Sequence, residues 1–273
     1  MLKQRILVAL ILIPLGVAAI IQGGWVFGIL LAILLGLAVW EYAALFRAGG
    51  LEPAGFLMVA GVVAFIFARL YFGTKVDALL ITAAALLLMA VHERAFEKGR
   101  QQAGSDFAVS LSGFIYIGLL GSYFPLLRAL PDGQWWLLVV LPAVWLADSG
   151  AFFLGTKFGK HKMVPRLSPK KSWEGYAGGI FMSLVFTPLL LLWYRSLGLP
   201  PGSSITPAAA AVIGLVMGIF PTLGDLGESM IKRQVGVKDS GTLLPGHGGL
   251  FDRVDSMLWA GPIAFYLITW LFI

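Results

Sequence analysis

Runs of roughly 20 nearly uninterrupted apolar residues recur along this chain, and no other feature constrains its fold as tightly. Backbone N–H and C=O groups find no partner in hydrocarbon, so such runs must fold as helices or close into a barrel. A barrel strand alternates apolar and polar side chains, and these runs do not, which selects helices. The runs cover Ile6–Ile21, Trp25–Phe46, Phe56–Phe72, Ala78–Val91, Phe107–Leu127, Trp135–Phe153, Tyr176–Tyr194, Ala208–Leu223 and Ser256–Ile273. The expectation is an all-α, polytopic integral membrane protein with about nine transmembrane helices. At 12% charged residues against 59% hydrophobic, it holds about half the charge of a soluble domain. The whole chain, 1–273, reads as one transmembrane domain, with helices one to five in 1–130 and six to nine in 131–273. Met1–Arg5 before the first run resembles a signal-peptide start, but the small-residue pattern around Ala18, Ala19 and Gln22 is poor, so that run is taken as a span.

An odd number of spans puts the two ends on opposite sides. With the N-terminus inside, all of the 20 Lys and Arg residues except Arg69, Lys75, Arg128 and Arg195 fall on the inner side. This is a strong positive-inside bias, and it accounts for the net charge of +6 without nucleic acid as a partner. It brings Asp148, the basic loop 157–171 and the loop 229–255 to one cytoplasmic face, with Ile273 outside. The connection from His92 to Asp106 carries mixed charge and reads as a solvated loop. Glu41, late in the second run, reads as snorkelling or paired near the interface.

The segment Ser229–Asp255, SMIKRQVGVKDSGTLLPGHGGLFDRVD, departs most from its surroundings. It combines cations, carboxylates and glycines between two apolar runs, a mixture that suits a phosphate-rich ligand held with a metal ion. Asp225, Glu228, Ser229 and Lys232 share one helix face, and Asp252, Asp255 and Ser256 repeat the first three of those spacings. Asp225 and Asp252 are the candidate ligands for a divalent cation, with Asp255 either a third ligand or a helix cap. Ser168-Pro169-Lys170-Lys171-Ser172 reads as a helix start with Ser168 as N-cap, aiming Lys170 and Lys171 at an anion. Lys160 and Lys162 are better explained by topology alone.

Two phosphate-loop lookalikes fail. Gly241–His247 has the glycine spacing but His in place of the lysine, and Gly155–Lys160 fails on spacing. Gly175/Gly179 and Gly214/Gly218 are GxxxG pairs that mark close helix packing within the chain or between subunits, hence a homodimer in the second case. No cysteine is present, which removes disulfides and thiolate chemistry.

Ser229, Lys232, Arg233, Lys238, Asp239, Gly241, Pro245, His247, Gly248, Gly249, Asp252, Arg253 and Asp255 together resemble the signature of the phosphatidate cytidylyltransferase family. Asp148-Ser149-Gly150 and Ser168–Gly175 are similar to that family too, so the resemblance covers the C-terminal half in motif detail and the first half by hydropathy. It implies that CTP and phosphatidate give CDP-diacylglycerol and diphosphate, a step of phospholipid biosynthesis in the cell's inner, cytoplasmic membrane. It implies Mg2+, with a second cation such as K+, at Asp225 and Asp252. Lys232 and Arg233 would join those acids in catalysis. Ser168, Lys170, Lys171, Ser229, Lys238, Asp239, His247, Gly248, Gly249, Arg253 and Asp148 would bind substrate. Phosphatidate would enter from the bilayer among other membrane lipids. Two alternatives remain at this stage. A CTP-dependent polyprenol kinase would use similar machinery, and a transporter would place its polar residues nearer the midplane.

Overall fold

A computed structural model describes residues 2–241 and 248–273, with side chains from Leu10 onward. Every apolar run is helical. In chain order these are α1 (Leu2–Gln22), α2 (Gly24–Ala48), α3 (Gly55–Phe72) and α4 (Asp77–Glu97). A composite span follows: α5 (Ala103–Gly113), a π-helical turn (Phe114–Leu119) and α6 (Tyr123–Ala129). Then come α7 (Gly133–Phe158), a hairpin of β1 (Lys162–Val164) and β2 (Ser168–Ser172), and α8 (Trp173–Ser196). The chain ends with α9 (Pro207–Ile219), α10 (Thr222–Gln234) and α11 (Phe251–Leu271). Among the described residues, eight spans are long and apolar enough to cross a membrane, and the apolar part of α1, Leu10–Gln22, is shorter. The protein is a polytopic all-α membrane protein.

Helices overrun the apolar runs at several ends. The stretch His92–Asp106, expected as a solvated loop, is largely the end of α4 and the start of α5. Its charges are ordered. Arg100 Nε donates to Asp106 at 2.7 Å, the Glu52 amide donates to the same carboxylate at 2.7 Å, and His92 Nε2 meets Ser110 Oγ at 3.0 Å. Asp106 is fully buried, and a buried carboxylate needs such partners.

The chain divides into two compact units. The first comprises 1–126 and 231–254. Its core interleaves Leu35, Ala38 and Val39 of α2 with Met58, Val62 and Phe65 of α3 and Phe114 of the π turn. Arg69, 3% exposed, is neutralised by Asp77 at 2.8 Å and stacks on Phe65 and Tyr123.

The second unit comprises 127–230 and 255–273. Here α7, α8 and α9 approach at backbone distance. A Cβ on Gly175 would lie 2.8 Å from the Ala151 carbonyl, and one on Gly179 2.6 Å from that of Ala147. A Cβ on Gly214 would strike the Ser183 carbonyl, and one on Gly218 would lie 2.8 Å from Ile180 Cα. Both GxxxG pairs therefore pack helices within the chain and lend no support to a homodimer. The break between α9 and α10 falls at Pro221, which has no N–H to continue the ladder, so the helix restarts at Thr222 with Asp225 in its first turn.

Candidate active site

In the second unit, a cavity of about 320 Å³ opens beside the hairpin. Asp148, Thr156, Lys170, Lys171, Ser172, Tyr176, Thr222 and Asp225 line it, with the small residues Ala151, Gly155 and Gly175 at its wall. The hairpin lies where a helix start was expected. Ser168 pairs with Val164 in the two-stranded ladder, and Ser172 is the N-cap, its Oγ accepting the Gly175 N–H at 3.2 Å. Glu174 fixes the base of the hairpin by accepting the Lys160 and His161 amides at 3.1 and 3.2 Å and meeting His161 Nδ1 at 2.5 Å. Lys170 and Lys171 both line the cavity, from a strand rather than the helix turn expected for them. Lys160 and Lys162 are absent from its lining.

Lys171 Nζ lies 2.7 Å from Asp225 Oδ2, with both side chains partly open, 23% and 37% exposed. Ser229 Oγ sits 3.4 Å from Asp225 Oδ1. Asp225, Glu228 and Asp255 each offer an oxygen, and these oxygens lie within 4.8 Å of one another. Gly224 makes this approach feasible, since a Cβ there would strike the Asp255 carbonyl and sit 2.8 Å from Trp259. Because α11 begins at Phe251, Asp255 is a turn too late to be its cap, contrary to that reading. Glu228, 1% exposed, was noted on the same helix face as Asp225 but given no role; its i+3 spacing from Asp225 was the signal.

The first unit holds the rest of the signature. Lys232 Nζ lies 2.6 Å from Asp252 Oδ1. Asp252 Oδ2 accepts the Ser240 amide, the Ser240 hydroxyl and the Gly249 amide, each at 2.9 Å. Gly248 adopts φ +85°, which an L side chain resists, and this lets the loop turn onto Asp252. Arg233, Lys238, Asp239 and Arg253 are exposed. His247, Pro245 and Gly246 lie outside the described residues. Glu41 is not snorkelling. It is 8% exposed, and its Oε2 accepts the Phe251 amide at 2.9 Å and faces Ser240 Oγ at 3.2 Å. A lone acid in an apolar run was the only hint.

A model of the family described as the cytidylyltransferase family matches residues 3–271. The phosphatidate cytidylyltransferase of Synechocystis sp. is 33% identical, over 97% of this chain and 96% of its own length. That of Pseudomonas aeruginosa is 36% identical, over 99% of this chain and 97% of the relative. That of Staphylococcus aureus is 30% identical, with 96% of both chains covered.

Proposed function

The chain belongs to the cytidylyltransferase family, and from that premise we infer the work of its site: CTP and phosphatidate are converted to CDP-diacylglycerol and diphosphate. The family match across nearly the whole chain carries this reading. The cavity walled by two lysines and two aspartates supplies a place for the chemistry.

Both reactants are polyanions, so charge repulsion and positioning dominate the barrier. A phosphate oxygen of phosphatidate attacks the α-phosphorus of CTP, and the bond to the β-phosphate oxygen breaks to release diphosphate. The attacking phosphate is already ionised, so no strong general base is required. Lys170 and Lys171 border the cavity and present ammonium groups to phosphate oxygens. Lys171 rests on Asp225 across an open pair, which costs little to exchange for a phosphate contact. Lys232 and Arg233 serve the nucleotide phosphates from the last turn of α10. Ser229, Lys238, Asp239, Gly248, Gly249, Arg253 and Asp148 complete the proposed binding set, while Ser168 acts through the hairpin ladder.

The acids fit Mg2+. Asp225, Glu228 and Asp255 form a hard-oxygen donor set, and the last two are buried at 1% and 8% exposure. Buried carboxylates at this spacing repel one another unless a cation lies among them. Bound there, Mg2+ supplies charge neutralisation for the triphosphate and the departing diphosphate. Asp252 holds Lys232 as its counter-cation, and its carboxylate would be the ligand for a second cation such as K+. The cation distribution supports an N-terminus, hairpin and signature loop in the cytoplasm, with the C-terminus outside, in the cytoplasmic membrane.

The test is a detergent-solubilised assay with CTP labelled at the α- or the γ-phosphorus, plus phosphatidate and Mg2+. Label from the α-position alone should enter the lipid. Lipid labelled from the γ-position would identify a kinase, and no lipid labelling from either would refute both.

A further inference from the structure

The Asp252–Lys232 pair has an unassigned support deep in α2. Glu41 Oε2 accepts the amide of Phe251, the first residue of α11, at 2.9 Å. The first amides of a helix lack partners within the helix and carry its positive end, so a carboxylate there both caps and is stabilised. The same oxygen faces the Ser240 hydroxyl at 3.2 Å, and that hydroxyl lies 2.9 Å from Asp252 Oδ2. Asp252 in turn binds Lys232. A continuous polar chain thus runs from Glu41 through Ser240 to Asp252 and Lys232.

Gly241 and Gly249 leave room for this acid. A Cβ on Gly241 would fall 2.7 Å from Glu41 Oε1, and one on Gly249 2.5 Å from Oε2. Phe251 is fully buried and meets the ring of the neighbouring Tyr42 edge-on at 5.8 Å, which fixes the start of α11 against α2. Burying a carboxylate is expensive without donors, and here the donors come from both ends of the signature loop.

We propose that Glu41 is a positioning residue for nucleotidyl transfer, setting the register of the signature loop so that Asp252 and Lys232 are presented together. This rests on the cytidylyltransferase reading of the site. It makes no contact with substrate necessary; Glu41 acts through Ser240 and the Phe251 amide.

The experiment measures kcat and KM for CTP and for phosphatidate in the parent, Glu41→Gln, Glu41→Ala, Ser240→Ala and the Glu41→Ala/Ser240→Ala double variant. Losing a charge-assisted hydrogen bond predicts a rise of about ten- to a hundredfold in the KM for CTP in Glu41→Ala, with the KM for phosphatidate unchanged. Glu41→Gln keeps an oxygen able to accept both donors and should recover most of the loss. The double variant should be no worse than the poorer single one, because both act through one chain of contacts. A merely structural role would lower the active fraction and leave both KM values alone. Parent-like kinetics in Glu41→Ala, losses that multiply in the double variant, or a Glu41→Gln enzyme as poor as Glu41→Ala would overturn the proposal. An inactive parent would instead sink the functional reading itself.

Discussion

Each of the two units holds one lysine–aspartate pair, and the surroundings of the two pairs are opposite. Lys171–Asp225 spans 2.7 Å with side chains 23% and 37% exposed at the rim of a cavity. Lys232–Asp252 spans 2.6 Å with side chains 13% and 9% exposed, and Asp252 also accepts hydrogen bonds from Ser240 and Gly249. An open pair gains little net free energy and can be traded for a ligand. A closed one costs several kcal/mol to break by removing one partner, because the other charge is stranded. The same two residue types therefore divide the work, one pair poised for exchange and the other holding the loop in place.

Asp252→Asn should show the largest effect. It strands Lys232 and should cost about 3 kcal/mol of stability as well as nearly all turnover. Thermal denaturation in detergent beside the activity assay checks this; a variant with parent-like stability would make the two pairs equivalent. Lys171→Ala comes next. It should lose about ten- to a hundredfold in kcat/KM with no fall in stability, since it removes a phosphate contact from an open pair. Destabilisation in that variant would erase the contrast. The smallest effect concerns the hairpin. Ser172→Ala removes the α8 cap and should cost about 1 kcal/mol, whereas Ser168→Ala should change stability by less than about 0.5 kcal/mol. The reverse order would restore the helix start at Ser168.

These contrasts also mark what the sequence could reveal. Every transmembrane run was legible, because hydrocarbon demands continuous apolar helices. The ends were less so. Hydropathy reports where lipid stops, not where the hydrogen-bond ladder stops, so α4 continues to Glu97 and α7 to Phe158 in polar sequence. Ser168 and Ser172 both head plausible caps, and only the ladder pairing of Ser168 with Val164 separates them. Asp225, Lys170 and Lys171 were legible as charges stranded beside apolar helices, and the cavity gathers them. Glu228 shares the helix face of Asp225 at i+3, but only the fold brings Asp255 beside the two acids. Glu41 was the hardest to read. Its partners Ser240 and Phe251 lie 199 and 210 residues away, beyond any local pattern.

Asp225, Glu228 and Asp255, around the open pair, are the acids proposed to bear the cation. Manganese, a paramagnetic stand-in for Mg2+, tests it directly by electron paramagnetic resonance titration of the nucleotide-free protein in detergent. Asp225→Asn should weaken Mn2+ binding by about tenfold or more, equivalent to about 1.4 kcal/mol, while Asp239→Asn binds as the parent does. Parent-like Mn2+ affinity in Asp225→Asn would show that the cation binds elsewhere.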